Sequence, residues 1–167
     1  MSIIMRNVNL TKTQALLNYI NRIYGGKFDD LKLTVINEKT KYSYQYNPEE
    51  NIIFNPIIKI GRSIDDEFDK FIIDYYNRVF NMNLQNTYNI RLIQELCHEC
   101  GHHYNIEYYK SRDMEYAVQL AALERYEYET DDRRIAYRQI DEEYDADKFA
   151  AHLMKFHLED MLAILEQ

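Results

Sequence analysis

The stretch Gln94-Glu95-Leu96-Cys97-His98-Glu99-Cys100-Gly101-His102-His103 narrows what this chain can be more than any other part of it. Ile93, Leu96, Cys97 and Cys100 recur at helical spacing, so the stretch reads as the core of a helix over about residues 90–104. Residues four apart on a helix are neighbours. His98 and His102 therefore present two imidazoles on one face, while the apolar set occupies the other. Two imidazoles so placed can chelate one Zn2+. Glu99 follows His98 by about 100° around the helix. From there its carboxylate reaches a water on the metal without taking a coordination position. A general base that accepts a proton from that water and passes it to a leaving amine needs that placement. Gly101 costs about 1 kcal/mol in a helix interior, which signals another element packing close against it.

Cys97 and Cys100 also form a Cys-x-x-Cys. They lie inside the helix, away from the N-terminal position that lowers thiol pKa in redox motifs, and the chain has no second cysteine pair to complete a zinc ribbon. They read as packing residues, in a chain expected to be reduced, intracellular and cytoplasmic.

A zinc site needs a third protein ligand and an open position. The three-histidine form fails, because Asn105 and Tyr108 occupy the places where Gly and His would stand. A carboxylate from residues 141–152, Asp-Glu-Glu-Tyr-Asp-Ala-Asp-Lys-Phe-Ala-Ala-His, is the remaining source. Glu143 and Asp147 are four apart and share a face that Ala150 and Met154 continue; Phe149, Leu153 and Phe156 bury the adjacent stripe. Glu143 reads as the ligand. Asp147, one turn on, reads as the acceptor that fixes the free ring nitrogen of His98 or His102. Glu142, Asp145 and Asp141 remain rivals to Glu143 at this level. Ala146 and Ala150 let the two helices approach. His103, His152 and His157 lie off the metal face and read as ordinary residues. Two imidazoles and one carboxylate suit zinc, although manganese and iron also accept such a set.

The rest of the chain frames this site. Its 167 residues suit a single domain over 1–167 with its own core. Thr11 and Gln14 form a capping-box pattern that predicts a helix over 11–24, closed by Gly25-Gly26. Residues 31–36, 42–46 and 51–54 are rich in β-branched and aromatic side chains and predict three strands, antiparallel where hairpins join them. The helical period returns from Ser63, through Phe68, Phe71, Ile72, Tyr75, Tyr76 and Val79. A polar stretch, 81–89, precedes the metal helix, and further helices are predicted over 113–128 and 140–165. The fold class is α+β, a small sheet of about three strands packed on a helical metal-binding core. A formal charge of -8 argues against nucleic acid as a partner. The opening residues 1–14 lack the pattern of a signal peptide, and no apolar run is long enough to span a membrane.

His98-Glu99-x-x-His102, followed by Glu143-x-x-Ala146-Asp147-x-Phe149-Ala150-Ala151-x-Leu153-Met154, resembles the ImmA/IrrE-type metallopeptidases, a gluzincin group of bacteria and phages. The Glu-x-x-Ala-Asp element is also similar to that of the membrane-bound Ste24/HtpX peptidases, without their membrane segments. The ImmA/IrrE resemblance implies a zincin-like fold, His98, His102 and Glu143 as zinc ligands and Glu99 as catalytic base. It also implies a repressor or regulator protein as substrate, often within a mobile element. It is specific in two segments and architectural elsewhere. Three departures bear on the substrate: a longer insert over 61–89, Lys155 where a proline usually follows Leu-Met, and no helix-turn-helix domain within these residues.

Three readings follow. The first is an active zinc endopeptidase acting on a protein or peptide substrate. The second is a catalytically silent zincin-fold module that regulates a protein partner. The third is a metal-free helical interaction protein. The intact Glu99 favours the first, since holding zinc does not by itself require that residue.

Overall fold

Asn9 sets the start of the first helix. Its side chain accepts a hydrogen bond from Lys12 N at 3.0 Å, satisfying an amide that the first turn leaves free, and α1 runs Leu10–Ile23. The capping box expected of Thr11 and Gln14 does not form, because Asn9 already supplies the acceptor and Gln14 bonds along the helix to Asn18 at 3.0 Å. Gly25 and Gly26, at φ 62° and 86°, turn the chain off the helix end.

The computed structural model describes residues 4–167; the first three residues of the opening segment lie outside the described residues. The architecture is α+β, with seven α-helices, a three-stranded sheet and a two-stranded pair among the described residues. The sheet holds β2 (Lys32–Ile36), β3 (Lys41–Asn47) and β4 (Ile52–Gly61) in the order β2-β4-β3. β3 and β4 form the expected antiparallel hairpin, whereas β2 lies parallel to β4. β4 is ten residues long rather than ending at Phe54. Asn55 takes a left-handed φ of 53° and Pro56 follows it, which imitates a strand end in the sequence, yet the chain runs on through the fully buried Ile58 and Ile60. Ser63 and Ile64, expected to open a helix, instead form β5, which pairs antiparallel with β1 (Ile4–Met5). α2 (Asp66–Val79) starts later, capped by Asp65, whose side chain accepts from Phe68 N at 3.2 Å.

α3 (Tyr88–Tyr104) begins at the Thr87 cap and carries the metal motif. After α4 (Ile106–Tyr109) comes α5 (Asp113–Ala121), which ends in a single 3-10 turn, Ala122–Arg125, short of the predicted boundary at 128. α6 (Asp131–Arg138) was not predicted. Thr130 caps it, accepting from Arg133 N at 3.3 Å. α7 (Asp141–Glu166) closes the described chain.

One apolar cluster joins these elements. Leu16, Leu17 and Ile20 of α1, Ile58 and Ile60 of β4, Ile72 and Tyr76 of α2, Ile93, Leu96, Cys97 and Cys100 of α3, and Leu153, Met154 and Met161 of α7 all lie buried in it. α3 runs through its middle and packs along α7. At their closest approach, a Cβ placed on Gly101 would meet Ala146 Cα at 2.8 Å and its carbonyl oxygen at 2.9 Å. Backbone cannot yield as a side-chain tip can. Gly101→Ala should therefore destabilise by about 1–3 kcal/mol through overpacking, although alanine is intrinsically the better helix former. Urea unfolding of the metal-free variant measures this, and stability equal to or above wild type would show that the helices part without cost.

Candidate metal centre

The tight α3–α7 contact brings two helix faces together within a turn of Gly101. His98 and His102 project from α3, and Glu143 from the first turn of α7. His98 Nε2 lies 3.1 Å from His102 Nε2 and 3.2 Å from Glu143 Oε2, and His102 Nε2 lies 3.7 Å from the same oxygen. Bonds of about 2.0–2.2 Å in a four-coordinate tetrahedral ion place neighbouring donor atoms about 3.3–3.5 Å apart. The three atoms form a triangle of that size, and the group could hold a metal ion.

The protonation of the histidines supports the same use. His98 Nδ1 lies 2.8 Å from Asp147 Oδ1, so this nitrogen carries the hydrogen and Nε2 keeps a lone pair. His102 Nδ1 lies 3.5 Å from Glu142 Oε1. Both rings turn Nε2 towards Glu143 Oε2. Three acceptors facing one point repel each other unless a cation or shared protons lie between them. The titration behaviour expresses this demand. Burial opposes charge on both imidazoles, but Asp147 and Glu143 outweigh it at His98 and hold its pKa above the ordinary value. At His102, Glu142 and Glu143 outweigh burial more strongly. Glu143 in turn sits well below the usual carboxylate range, because its bonds to the two histidines overcome the burial that would raise it.

Asp147 is fully buried, with 0% exposure. Its Oδ1 gathers Tyr76 Oη at 2.6 Å, His98 Nδ1 at 2.8 Å and Arg138 Nη1 at 3.0 Å. Of the two metal-face histidines, Asp147 lies at hydrogen-bond distance from His98 and not from His102. Behind it the polar chain continues: Gln94 Nε2 donates to Tyr76 Oη at 3.0 Å, Arg91 bonds Gln94, and Arg91 reaches Asp69 at 2.9 Å and Glu95 at 3.2 Å. Glu95 also takes Arg6 and, at 2.8 Å, Thr40 Oγ1. Each charge along this polar network has an opposite charge beside it, as burial requires.

Glu99 stands apart from the triangle. Only 8% of it is exposed, and its carboxylate has no hydrogen-bond partner among the described residues. Burial raises its pKa, overcoming the pull of His98 and His102. Glu99 and the three-residue group border one cleft of about 800 Å³, walled by Tyr42 and Tyr44 of β3, Tyr116 of α5 and Arg138 of α6.

Two of the rivals to Glu143 are occupied elsewhere. Asp141 takes Gln119 at 2.9 Å, and Asp145 takes Tyr109 at 2.6 Å and Lys148 at 2.9 Å; Glu142 touches the far nitrogen of His102. His103 bonds Tyr42 at 2.7 Å and Asp30 at 3.1 Å, His157 meets Tyr19 at 3.1 Å, and His152 is exposed. Cys97 and Cys100 are fully buried free thiols, which burial pushes up in pKa. The sequence reading missed Arg138, Tyr76 and Tyr116. For Arg138 a signal existed: Thr130 ahead of Asp131-Asp132 is an N-cap followed by an acidic first turn. Tyr76 and Tyr116 meet the site only through tertiary packing.

No family model, curated protein or solved structure matches the chain. Among the described residues, no helix is long and apolar enough to cross a membrane.

Proposed function

We propose that this chain is a zinc-dependent endopeptidase with a zincin-like fold, of the ImmA/IrrE type that its two motifs resemble. His98, His102 and Glu143 hold the metal and Glu99 is the general base. The observation that carries this reading is the convergence of three lone-pair donors at tetrahedral spacing beside a carboxylate that has no other partner. When bound, zinc would supply Lewis acidity and lower the pKa of a water towards neutrality.

The chain's own groups do the rest. Glu99 accepts a proton from the attacking water and returns it to the departing amide nitrogen; a carboxyl whose pKa is raised by burial serves both halves of that task. Asp147 keeps the hydrogen on His98 Nδ1, so that Nε2 always faces the metal position. β3 pairs with β4 on one side only, and Tyr42 and Tyr44 place this edge strand along the cleft. An extended peptide can add to such an edge through backbone hydrogen bonds, which supports a protein or peptide substrate. The resemblance narrows that substrate to a regulatory protein in the cytoplasm.

Metal analysis of the wild type and Glu143→Ala, alongside hydrolysis of denatured casein, tests the proposal. The wild type should carry close to one zinc per chain and cleave casein. Loss of a carboxylate beside a metal typically costs 10–100-fold in affinity even when it is not itself a ligand, so Glu143→Ala should weaken zinc binding by more than about 100-fold. A wild type that takes up no zinc, or a variant that keeps it, would overturn the assignment. Zinc uptake without hydrolysis would favour the silent binding module.

A further inference from the structure

Peptide hydrolysis through this site puts negative charge on the scissile carbonyl oxygen, and a fixed donor aimed at it is worth a large share of the rate. Three of the donors bordering the cleft are committed. Tyr42 Oη is held by His103 Nδ1 at 2.7 Å, Arg138 by Asp147 at 3.0 Å, and Arg91 by Asp69 at 2.9 Å. Tyr116 differs. Its hydroxyl donates to Glu143 Oε1 at 3.4 Å, far longer than the usual 2.7–2.8 Å of a hydroxyl–oxygen bond. Glu143 turns Oε2 to the imidazoles and Oε1 to Tyr116, so the phenol stands across Glu143 from the histidines, on the α5 wall, while Glu99 comes from α3.

α5 itself buries none of its residues. A specific clamp fixes it to the start of α7. Gln119 Nε2 donates to Asp141 Oδ2 at 2.9 Å, and Asp141 N donates to Gln119 Oε1 at 3.1 Å. α7 has no side-chain cap of its own at Ile140, so Gln119 stands in for one. Tyr116 lies three residues before Gln119, on the same side of α5, and Glu143 lies two residues after Asp141. The clamp thus sets the phenol against the metal-binding face.

We infer that Tyr116 is a catalytic residue, the hydroxyl that gives up its weak bond to Glu143 and donates instead to the oxyanion of the tetrahedral adduct. The inference rests on the peptidase reading above. The phenol donates a hydrogen bond only; its proton stays on its oxygen throughout.

The test compares zinc-loaded wild type with Tyr116→Phe by zinc content, by casein hydrolysis and by calorimetric binding of a phosphinic peptide, a tetrahedral anion that copies the adduct. Zinc should be unchanged, kcat should fall by about 10²–10³ with KM unaltered, and phosphinic-peptide affinity should fall by at least about tenfold. Unaltered kcat and unaltered phosphinic-peptide affinity overturn the assignment while leaving the peptidase reading intact. Zinc lost in the variant also overturns it, because the hydroxyl would then serve to orient Glu143. If neither protein cleaves casein, the peptidase reading fails and the catalytic assignment of Tyr116 falls with it.

Discussion

Zinc-loaded Glu99→Gln should keep its metal and hydrolyse peptide about 10²–10⁴-fold more slowly than wild type, the span typical of a lost general base. Glutamine matches glutamate in shape but cannot accept the proton at neutral pH. The metal should stay, because Glu99 contributes no atom to the His98–His102–Glu143 triangle. The fold should stay too, because the fixed bonds of the centre run through Asp147, Glu143 and Glu142 rather than through Glu99. Burial raises the Glu99 pKa, so its ionised form weighs against the folded state near neutrality. The metal-free variant should then be at least as stable as wild type in urea. Hydrolysis at the wild-type rate would remove Glu99 from the mechanism. Zinc lost with Glu99 would instead make it a ligand and require a different geometry.

The same residue illustrates what the sequence could carry. Helical periodicity alone separates the metal face of α3 from its apolar face, and the burial of Ile93, Leu96, Cys97 and Cys100 follows that division. A four-residue spacing placed Glu143 and Asp147 on one side of α7, where both are now found buried against α3. Gly101 gave an early sign of the close crossing that sets the triangle's size. These are local properties, fixed by one helix at a time.

What escaped is non-local. β2 pairs parallel with β4 across an intervening strand in sequence, and no turn signal reports a crossover. Asn55-Pro56 looks like a strand end because a left-handed residue and a missing amide mark strand ends elsewhere, but here β4 continues past both into the core. Among Glu142, Glu143, Asp145 and Asp141, spacing could not choose. Gln119, Tyr109 and Lys148 draw Asp141 and Asp145 away and leave Glu142 and Glu143 beside the histidines, and these partners sit on elements whose packing the sequence does not state.

Arg138 leads to the largest structural effect. Arg138 is 8% exposed and its buried counter-charge is Asp147. Asp147→Ala strands that cation in the interior and takes the shared acceptor from Tyr76 and His98. Breaking one side of a buried pair costs about 3–5 kcal/mol, so the metal-free variant should unfold at much lower urea than wild type. The pH dependence has a definite sign. Burial pushes the Asp147 pKa up, but the charges of Arg138 and His98 and the hydrogen bonds from His98 and Tyr76 overcome it and hold the folded value below the ordinary 3.8. The carboxylate's contribution is therefore present above that ordinary value and is lost as pH falls through the lower folded one. In Asp147→Ala that part of the acid unfolding limb should be missing. If the stranded cation is the main cost, Asp147→Ala combined with Arg138→Met should recover much of the lost stability, since an apolar pair of similar volume leaves no charge without a partner. A double variant as unstable as the single would place the cost in the acceptor that Tyr76 and His98 lost.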